Sequence, residues 1–212
     1  MHTSALHNCH MFYKTYYENV PNNSDIKIVE VGSCGVHQHL RSLAPKQARY
    51  IGTDLIQGPG VDILCDDPYI LPFEDQSVDI VISSSCFEHS EMFWLTYLEI
   101  IRILKPHGLF YLNVPSNGYF HRYPVDCWRF YPDSGNALVS WAKRNNYNSA
   151  LLESYVSERY FNNLDEVWED YVAIFVKDKS FVHNYPKRIL SSIKNFRNGI
   201  TYESKNIINQ AK

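Results

Sequence analysis

The chain has 212 residues, 45% of them hydrophobic and 20% charged, which supplies one domain with a core of its own. Its net charge of -3 lacks the basic excess of a nucleic-acid binder, so no nucleic acid is expected as a partner. No apolar run approaches the roughly 20 residues of a membrane span, and His2, His7, His10 and Lys14 stand where a secretory signal needs an apolar stretch. The five cysteines, Cys9, Cys34, Cys65, Cys86 and Cys127, are widely spaced and fit neither a disulfide framework nor a paired-cysteine zinc site. A reducing, cytoplasmic setting is the expectation.

Along the chain, the apolar run Ile26 to Val31 reads as a buried parallel strand. Gly32-Ser33-Cys34-Gly35 is a turn, followed by helix-compatible sequence through Leu43. Tyr50 and Ile51 lead a second strand ending at Asp54, Val61 to Leu64 is a third, and β-branched Val78 to Ser83 a central fourth. Glu91 to Leu104 has helical spacing and stops before Lys105-Pro106-His107-Gly108, and Leu109 to Val114 is a fifth strand. Pro132-Asp133-Ser134 opens a helix reaching Arg144. Two more strands fall near Leu151 to Ser157 and Tyr171 to Val176, separated by the aromatic and acidic segment Glu158 to Asp170. Strands alternating with helices predict an α/β fold, a mostly parallel sheet with helices on both faces and an antiparallel pair at one edge.

The ends differ from this core. Residues 1–25 are predicted to form an N-terminal helical lid, because Phe12, Tyr13, Tyr16 and Tyr17 recur at near-helical spacing. Residues 26–178 make the ligand-binding domain. Residues 179–212 are predicted to be a basic C-terminal helix or tail, with Ile189, Leu190, Ile193, Phe196 and Ile200 on one helical face.

Chemistry concentrates at the predicted strand ends. In Val29-Glu30-Val31-Gly32-Ser33-Cys34-Gly35, glycine lets backbone approach a ligand closely. The G-x-G-x-x-G spacing of dinucleotide sites is absent, since Gln38 stands three after Gly35, and Glu30 would repel a pyrophosphate. A cationic amino-acid ligand suits Glu30 better. Asp54, closing the second strand, is placed to accept from both hydroxyls of a ribose. Asp66-Asp67 offers an acid and a backbone amide to an adenine edge, and Leu71-Pro72-Phe73-Glu74-Asp75 and Phe87-Glu88-His89 follow in turn.

Taken in this order, these segments resemble the class I S-adenosylmethionine-dependent methyltransferases of the broad methyltransferase type 11 group. The resemblance runs strongly from Ile26 to Val114 and loosely to Val176. It implies a Rossmann-like, seven-stranded sheet with S-adenosylmethionine lying across the carboxyl ends of the strands and S-adenosylhomocysteine as product. By it, Glu30, Gly32, Ser33 and Gly35 form the first cofactor motif, and Asp54 holds the ribose with Leu55 beside it. Asp66 or Asp67 is the adenine-side acid, and Ser84 and Ser85 face the methionine moiety. Cys34 stands where the family often has glycine.

The acceptor is sought in the long aromatic and polar loop after the fifth strand, Pro115 to Tyr131. A hydroxyl acceptor gains from a base with pKa near the working pH, for which histidine is suited. His121 is the leading candidate, Asp126 its orienter or an alternative base, and His89 the rival. Tyr123, Trp128 and Arg129 are candidate substrate contacts, Trp128 also serving as an anchor. Tyr123-Pro124-Val125-Asp126-Cys127-Trp128-Arg129-Phe130-Tyr131 resembles methyltransferases that accompany glycosyltransferases in surface-polysaccharide pathways of bacteria and chlorovirus-like viruses. That implies O-methylation of a glycan sugar such as a deoxyhexose, association with glycosyltransferases, and a host cytoplasmic setting for a viral chain. His37-x-His39 and Asp66-Asp67 have ligand chemistry, but helix and adenine roles account for them and no metal is predicted. Other readings are a small-molecule or quinone methyltransferase, a catalytically silent binding module, and a nicotinamide oxidoreductase, the last disfavoured by the loop.

Overall fold

The computed structural model describes residues 3–21, 24–35, 40–157, 168–204 and 206–209. Its strands are β1 (Lys27–Val31), β2 (Arg49–Asp54), β3 (Ile63–Leu64), β4 (Val78–Ser84), β5 (Leu104–Pro115), β6 (Ala150–Ser157), β7 (Asp170–Val176) and β8 (Phe196–Thr201). The helices are α1 (Thr3–Tyr16), α2 (Phe93–Ile103) and α3 (Ser134–Arg144). All eight strands join one sheet in the order β3-β2-β1-β4-β5-β7-β6-β8. Pairs from β3 through β5 are parallel, whereas β7 runs antiparallel to β5 and β6, and β8 antiparallel to β6.

Alternation along the strands divides the core in two. Val29, Val81, Phe110, Leu112 and Phe175 face α2 and α3, whose Tyr97, Ile100, Leu138 and Ala142 close that layer. Ile28, Ile80, Ile82, Tyr111 and Ile174 face the other way, against Phe12, Tyr13 and Tyr16 of α1. With both faces covered, every residue of β4 is buried. Such burial selects the near-continuous apolar runs that the sequence shows.

The predicted N-terminal helix is present as α1. Over most of its length α1 is a core helix against the sheet: Phe12 and Tyr16 are fully buried, and the Phe12 ring sits 5.0 Å from Tyr111. Only its first turns reach the carboxyl edge, where Ser4 Oγ donates to Asp170 (2.7 Å) and Asn8 Nδ2 to Asn113 (3.0 Å).

Where a basic C-terminal helix or tail was expected, the described residues form short 3-10 turns and strand β8. β6 would otherwise be an exposed edge, and β8 pairs with it from Ser157↔Phe196 to Glu153↔Thr201. Buried Glu153 fixes the approach by accepting from Tyr16 Oη (2.5 Å), Ile189 N (2.6 Å) and Leu190 N (2.9 Å). Ile189, Phe196 and Ile200 are buried as expected of apolar residues, but beside a sheet rather than along a helix face.

Two local expectations also change. After β1 the described residues contain a 3-10 turn at Leu40–Leu43, while 36–39 of the expected helix lie outside the described set. α2 ends at Ile103, before Lys105-Pro106-His107-Gly108 as expected, but that segment is already the irregular start of β5, taken up between the Val78↔Leu104 and Ile80↔Leu109 pairs. Among the described residues no helix is long and apolar enough to cross a membrane.

Opposite the carboxyl edge, buried Asp79 is held by Lys105 Nζ (2.8 and 2.9 Å), the Lys27 amide (3.0 Å) and His107 Nε2 (3.4 Å). Burial alone would raise its pKa, but these donors outweigh it and hold the carboxyl below its ordinary value. A depressed carboxylate stabilises the fold above its unfolded pKa, and that contribution is lost as pH falls through the folded one. Asp79→Asn should therefore cost about 1.5–3 kcal/mol at neutral pH. In urea unfolding, the gap from the unsubstituted protein should narrow as pH falls below the ordinary carboxylate range.

Candidate functional site

The glycine loop is shaped by close approaches. Gly32 has φ 82°, and a Cβ there would lie 2.6 Å from Cys86 Cβ and Sγ, so only glycine fits. Gly32 and Ser33 amides both donate to Thr53 O (3.0 Å), and Gly35 N to Pro59 O (3.2 Å). Asp54 binds the loop directly: Oδ2 accepts from Cys34 N (2.8 Å), Oδ1 from Leu55 N (2.7 Å) and more weakly from Ile56 N (3.3 Å). A carboxylate has about four acceptor sites, and half-buried Asp54 keeps capacity for a diol. Beyond it, Leu55, Ile56 and Leu64 are about half exposed, an unusual apolar group at a polar strand end. Ser33 Oγ is buried without a hydrogen-bond partner.

Glu30 is seated differently from expectation. It lies on the α1 side of the sheet, buried, and accepts from Tyr50 Oη at 2.6 Å. Burial pushes its carboxyl up to about 7, against the Tyr50 hydrogen bond and Arg41. It is thus no free anion beside the loop. Asp66 and Asp67 are exposed after β3, Asp67 accepting from the Tyr69 amide at 2.7 Å. His37 and His39 lie outside the described residues.

Ser84 and Ser85 join this region to a second one. Ser84 Oγ accepts from Asn113 Nδ2 (3.3 Å). Ser85, at φ 52°, donates its amide to Asn113 O (2.9 Å) and borders a cleft of about 60 Å³. The cleft is also lined by Glu88, His89, His121, Trp168 and Asp170. The last two come to the carboxyl edge because β7 runs backwards, placing its first residue opposite Pro115.

The long loop is pinned over this cleft. Glu88 O accepts from Cys127 N (2.8 Å) and Trp128 N (3.2 Å), and Trp128 Nε1 donates to Ser90 O (2.9 Å). Trp128 packs on Phe93 and Trp94 as an anchor while part of its ring stays exposed. Asp126 accepts from the His121 amide (2.7 Å) and from Arg129 Nη1 (2.6 Å) and Nη2 (2.9 Å). The Arg129 hydrogen bond, then the His121 amide against burial, holds Asp126 far below the usual carboxylate range. It is a poor proton acceptor and a good orienter, its Oδ2 being 3.4 Å from His121 Nδ1. Arg129 also donates to Tyr119 O and Trp128 O, so its paired nitrogens are committed within the loop and not offered to an acidic substrate. Tyr123 is largely exposed.

His89 and His121 meet edge to face, ring centres 5.0 Å apart. His89 Nδ1 bonds Val125 O at 2.5 Å, which fixes the proton on Nδ1. Burial, and then neighbouring His121, push the His89 pKa below its ordinary value despite the Val125 bond, favouring the neutral ring. Glu88, almost fully buried, has its carboxyl raised to about 8 chiefly by burial.

Sequence reasoning found both histidines and Asp126 but left Glu88, Trp168 and Asp170 out of the site. Glu88 was legible in the Glu-His pair after β4. Trp168 and Asp170 carried no motif, and the strand reversal alone brings them in.

Residues 29–112 match the methyltransferase domain family. A curated relative is the phthiotriol/phenolphthiotriol dimycocerosates methyltransferase of Mycobacterium tuberculosis H37Rv, 29% identical over 132 residues, 55% of this chain and 47% of that protein. The chain spans about half the length of the curated relatives it matches. Among solved structures, Burkholderia thailandensis 1,6-didemethyltoxoflavin-N1-methyltransferase, with S-adenosylhomocysteine bound, aligns at TM-score 0.61 and 12% identity, covering 83% and 79% of the two chains. The [4+2]-cyclase SpnF aligns at TM-score 0.55 and 14% identity over 80% and 81%. The fold is the Rossmann-like class I methyltransferase fold, with eight strands where seven were expected.

Arg129→Ala would strand the buried Asp126 carboxylate and release the loop. Breaking such a pair costs about 3 kcal/mol. Amide exchange across residues 119–127 should then speed by roughly 100-fold while the β4 and β5 amides keep their protection. An unchanged loop would show that Trp128 and the Glu88 carbonyl suffice to hold it.

Proposed function

We propose that this chain is an S-adenosylmethionine-dependent methyltransferase acting on a hydroxyl acceptor, with a sugar of a glycan as that acceptor. The observation that carries this reading is the juxtaposition, at Ser84-Ser85, of a glycine-and-aspartate cradle with a histidine-lined cleft. The match to the methyltransferase domain family over 29–112 supports it. The fold by itself does not, since a [4+2]-cyclase shares it.

S-adenosylmethionine, when bound, supplies a methyl group on a sulfonium and departs as S-adenosylhomocysteine. Asp54 receives the ribose hydroxyls, Leu55 and Leu64 wall the adenine, and Asp66 or Asp67 reads its edge. Gly32 and Gly35 let backbone approach, Ser33 offers its unpartnered hydroxyl, and Ser84 and Ser85 border the methionine end. Glu30 acts from beneath the loop through Tyr50.

On the other side the cleft holds the acceptor. Methyl transfer needs alignment first, which the pinned loop provides. Relief of the hydroxyl's proton falls to the His121 and His89 pair, with Asp126 orienting His121. Tyr119, Phe120, Tyr123 and Tyr131 are exposed on the loop, Tyr119 packing on cleft-lining His121 and Trp168, and such aromatic faces suit sugar rings. A role beside glycosyltransferases accords with such an acceptor. The relatives' named substrates, phthiotriol dimycocerosates, favour a second reading, an extended hydrophobic alcohol.

Titration with S-adenosylhomocysteine tests the first half. Binding is expected, and Asp54→Ala should weaken it by about 1.5–3 kcal/mol. No binding by the folded protein would remove the methyltransferase reading.

For the second half, mass spectrometry of reactions with candidate glycans and lipid alcohols identifies the acceptor. His121→Ala should lower turnover by about 10²–10⁴-fold with cofactor affinity kept. If His89→Ala alone has that effect, the proton leaves through His89. Full activity in both variants would take the pair out of the chemistry.

A further inference from the structure

We propose that Glu88, His89 and His121 form a binding site for a divalent first-row transition-metal ion, the acceptor hydroxyl taking the remaining position. One ligand atom from each residue lies within 4.8 Å of the others. Around an ion with bonds near 2.0–2.1 Å, tetrahedral ligand atoms sit about 3.4 Å apart, so closure asks for roughly an ångström of side-chain movement. His121 stands on a loop and is the residue to move.

Three further features point to a cation. Glu88 Oε2 is buried with no hydrogen-bond partner, an expensive state for an acid that a cation would relieve. Its Oε1 is 3.7 Å from His89 Nε2, so carboxyl and imidazole already converge. His89 Nδ1 is spent on Val125 O, which leaves the Nε2 lone pair free, and His121 Nδ1 lies 3.4 Å from both Asp126 Oδ2 and Tyr119 O, which leaves its Nε2 for a ligand. A ligand imidazole whose other nitrogen bonds a carbonyl or carboxylate is the outer-shell pattern of metal sites. Asp170, on the cleft wall, adds negative potential. Two imidazoles and one carboxylate suit zinc, cobalt, iron or manganese rather than calcium. The sequence expectation of no metal weighed His37, His39, Asp66 and Asp67, none of which is in this cluster.

The role of the site rests on the methyltransferase reading. A cation held there makes a bound hydroxyl acidic near neutral pH. The proton leaves to solvent, an oxygen lone pair forms the bond to the methyl carbon, and the carbon–sulfur bond breaks with its electrons kept by sulfur. His121 then serves as ligand, and its loss still lowers turnover.

The test is titration of chelator-treated full chain with Co²⁺, read by its visible d–d absorption, with S-adenosylhomocysteine affinity measured on the same samples. One Co²⁺ per chain is expected, with Glu88→Gln and His121→Ala each weakening binding by at least about 100-fold, beyond the usual loss for an outer-shell partner. Cofactor affinity should be retained. His121→Ala keeps the test valid where Glu88→Gln fails to fold. No bound Co²⁺, or Co²⁺ binding that both folded variants retain, overturns the site. Cobalt bound as described without any cofactor binding would keep the site and overturn the methyltransferase reading instead.

Discussion

A sheet buried on both faces leaves polar chemistry only at the ends of its strands. Every residue of β4, β6 and β7 is buried, so acids, amides and imidazoles that must meet a ligand are confined to the connections. Parallel β1, β2, β3 and β4 deliver their carboxyl ends to one edge, and there the glycine loop, Asp54, Asp66 and Ser84 gather. Reversed β7 contributes its beginning rather than its end to the same edge, which is how Asp170 joins them. The cleft is a product of strand direction as much as of side-chain type.

Three interior polar side chains tie separate elements together. Glu153 takes hydrogen bonds from α1 and from the segment before β8, and Asp79 takes them from β1 and β5. Asn113 reaches α1 through Asn8 and β4 through Ser84. These groups gather separate elements around single acceptors. They reinforce a register that burial of the strand faces already specifies.

Much of this was legible in the sequence, and the reason is burial. Largely apolar runs such as Val78 to Ser83 announce central parallel strands, and the observed limits of β1, β2, β3 and β4 lie within a residue or two of the predicted ones, whereas β5 begins at Leu104 rather than Leu109. The two ends misled for a common reason. Periodic apolar residues report which side is covered, not what covers it: Phe12 and Tyr16 read equally as lid or core, and Phe196 and Ile200 equally as helix or strand. The choice was made by distant partners, Tyr111 for α1 and the open edge of β6 for β8. At the site, residues carried by local motifs were found. Arg129 makes four donor contacts within its own loop, and nothing in its neighbours' identity distinguishes such an internal clamp from a ligand contact.

Tyr16 and Ile189 are separated by most of the chain yet bond the same carboxyl oxygen of Glu153. During synthesis, α1 therefore emerges long before the segment that completes its seat. Until that segment arrives, its aromatic side chains have only a partial surface to lie against. Contacts so distant in sequence are slow to form because loop closure must come first. Completion of the core is consequently a late event in biogenesis, and a nascent chain halted before residue 189 exposes both an unsatisfied carboxyl and an open strand edge, features that chaperones guard and that invite association with other chains.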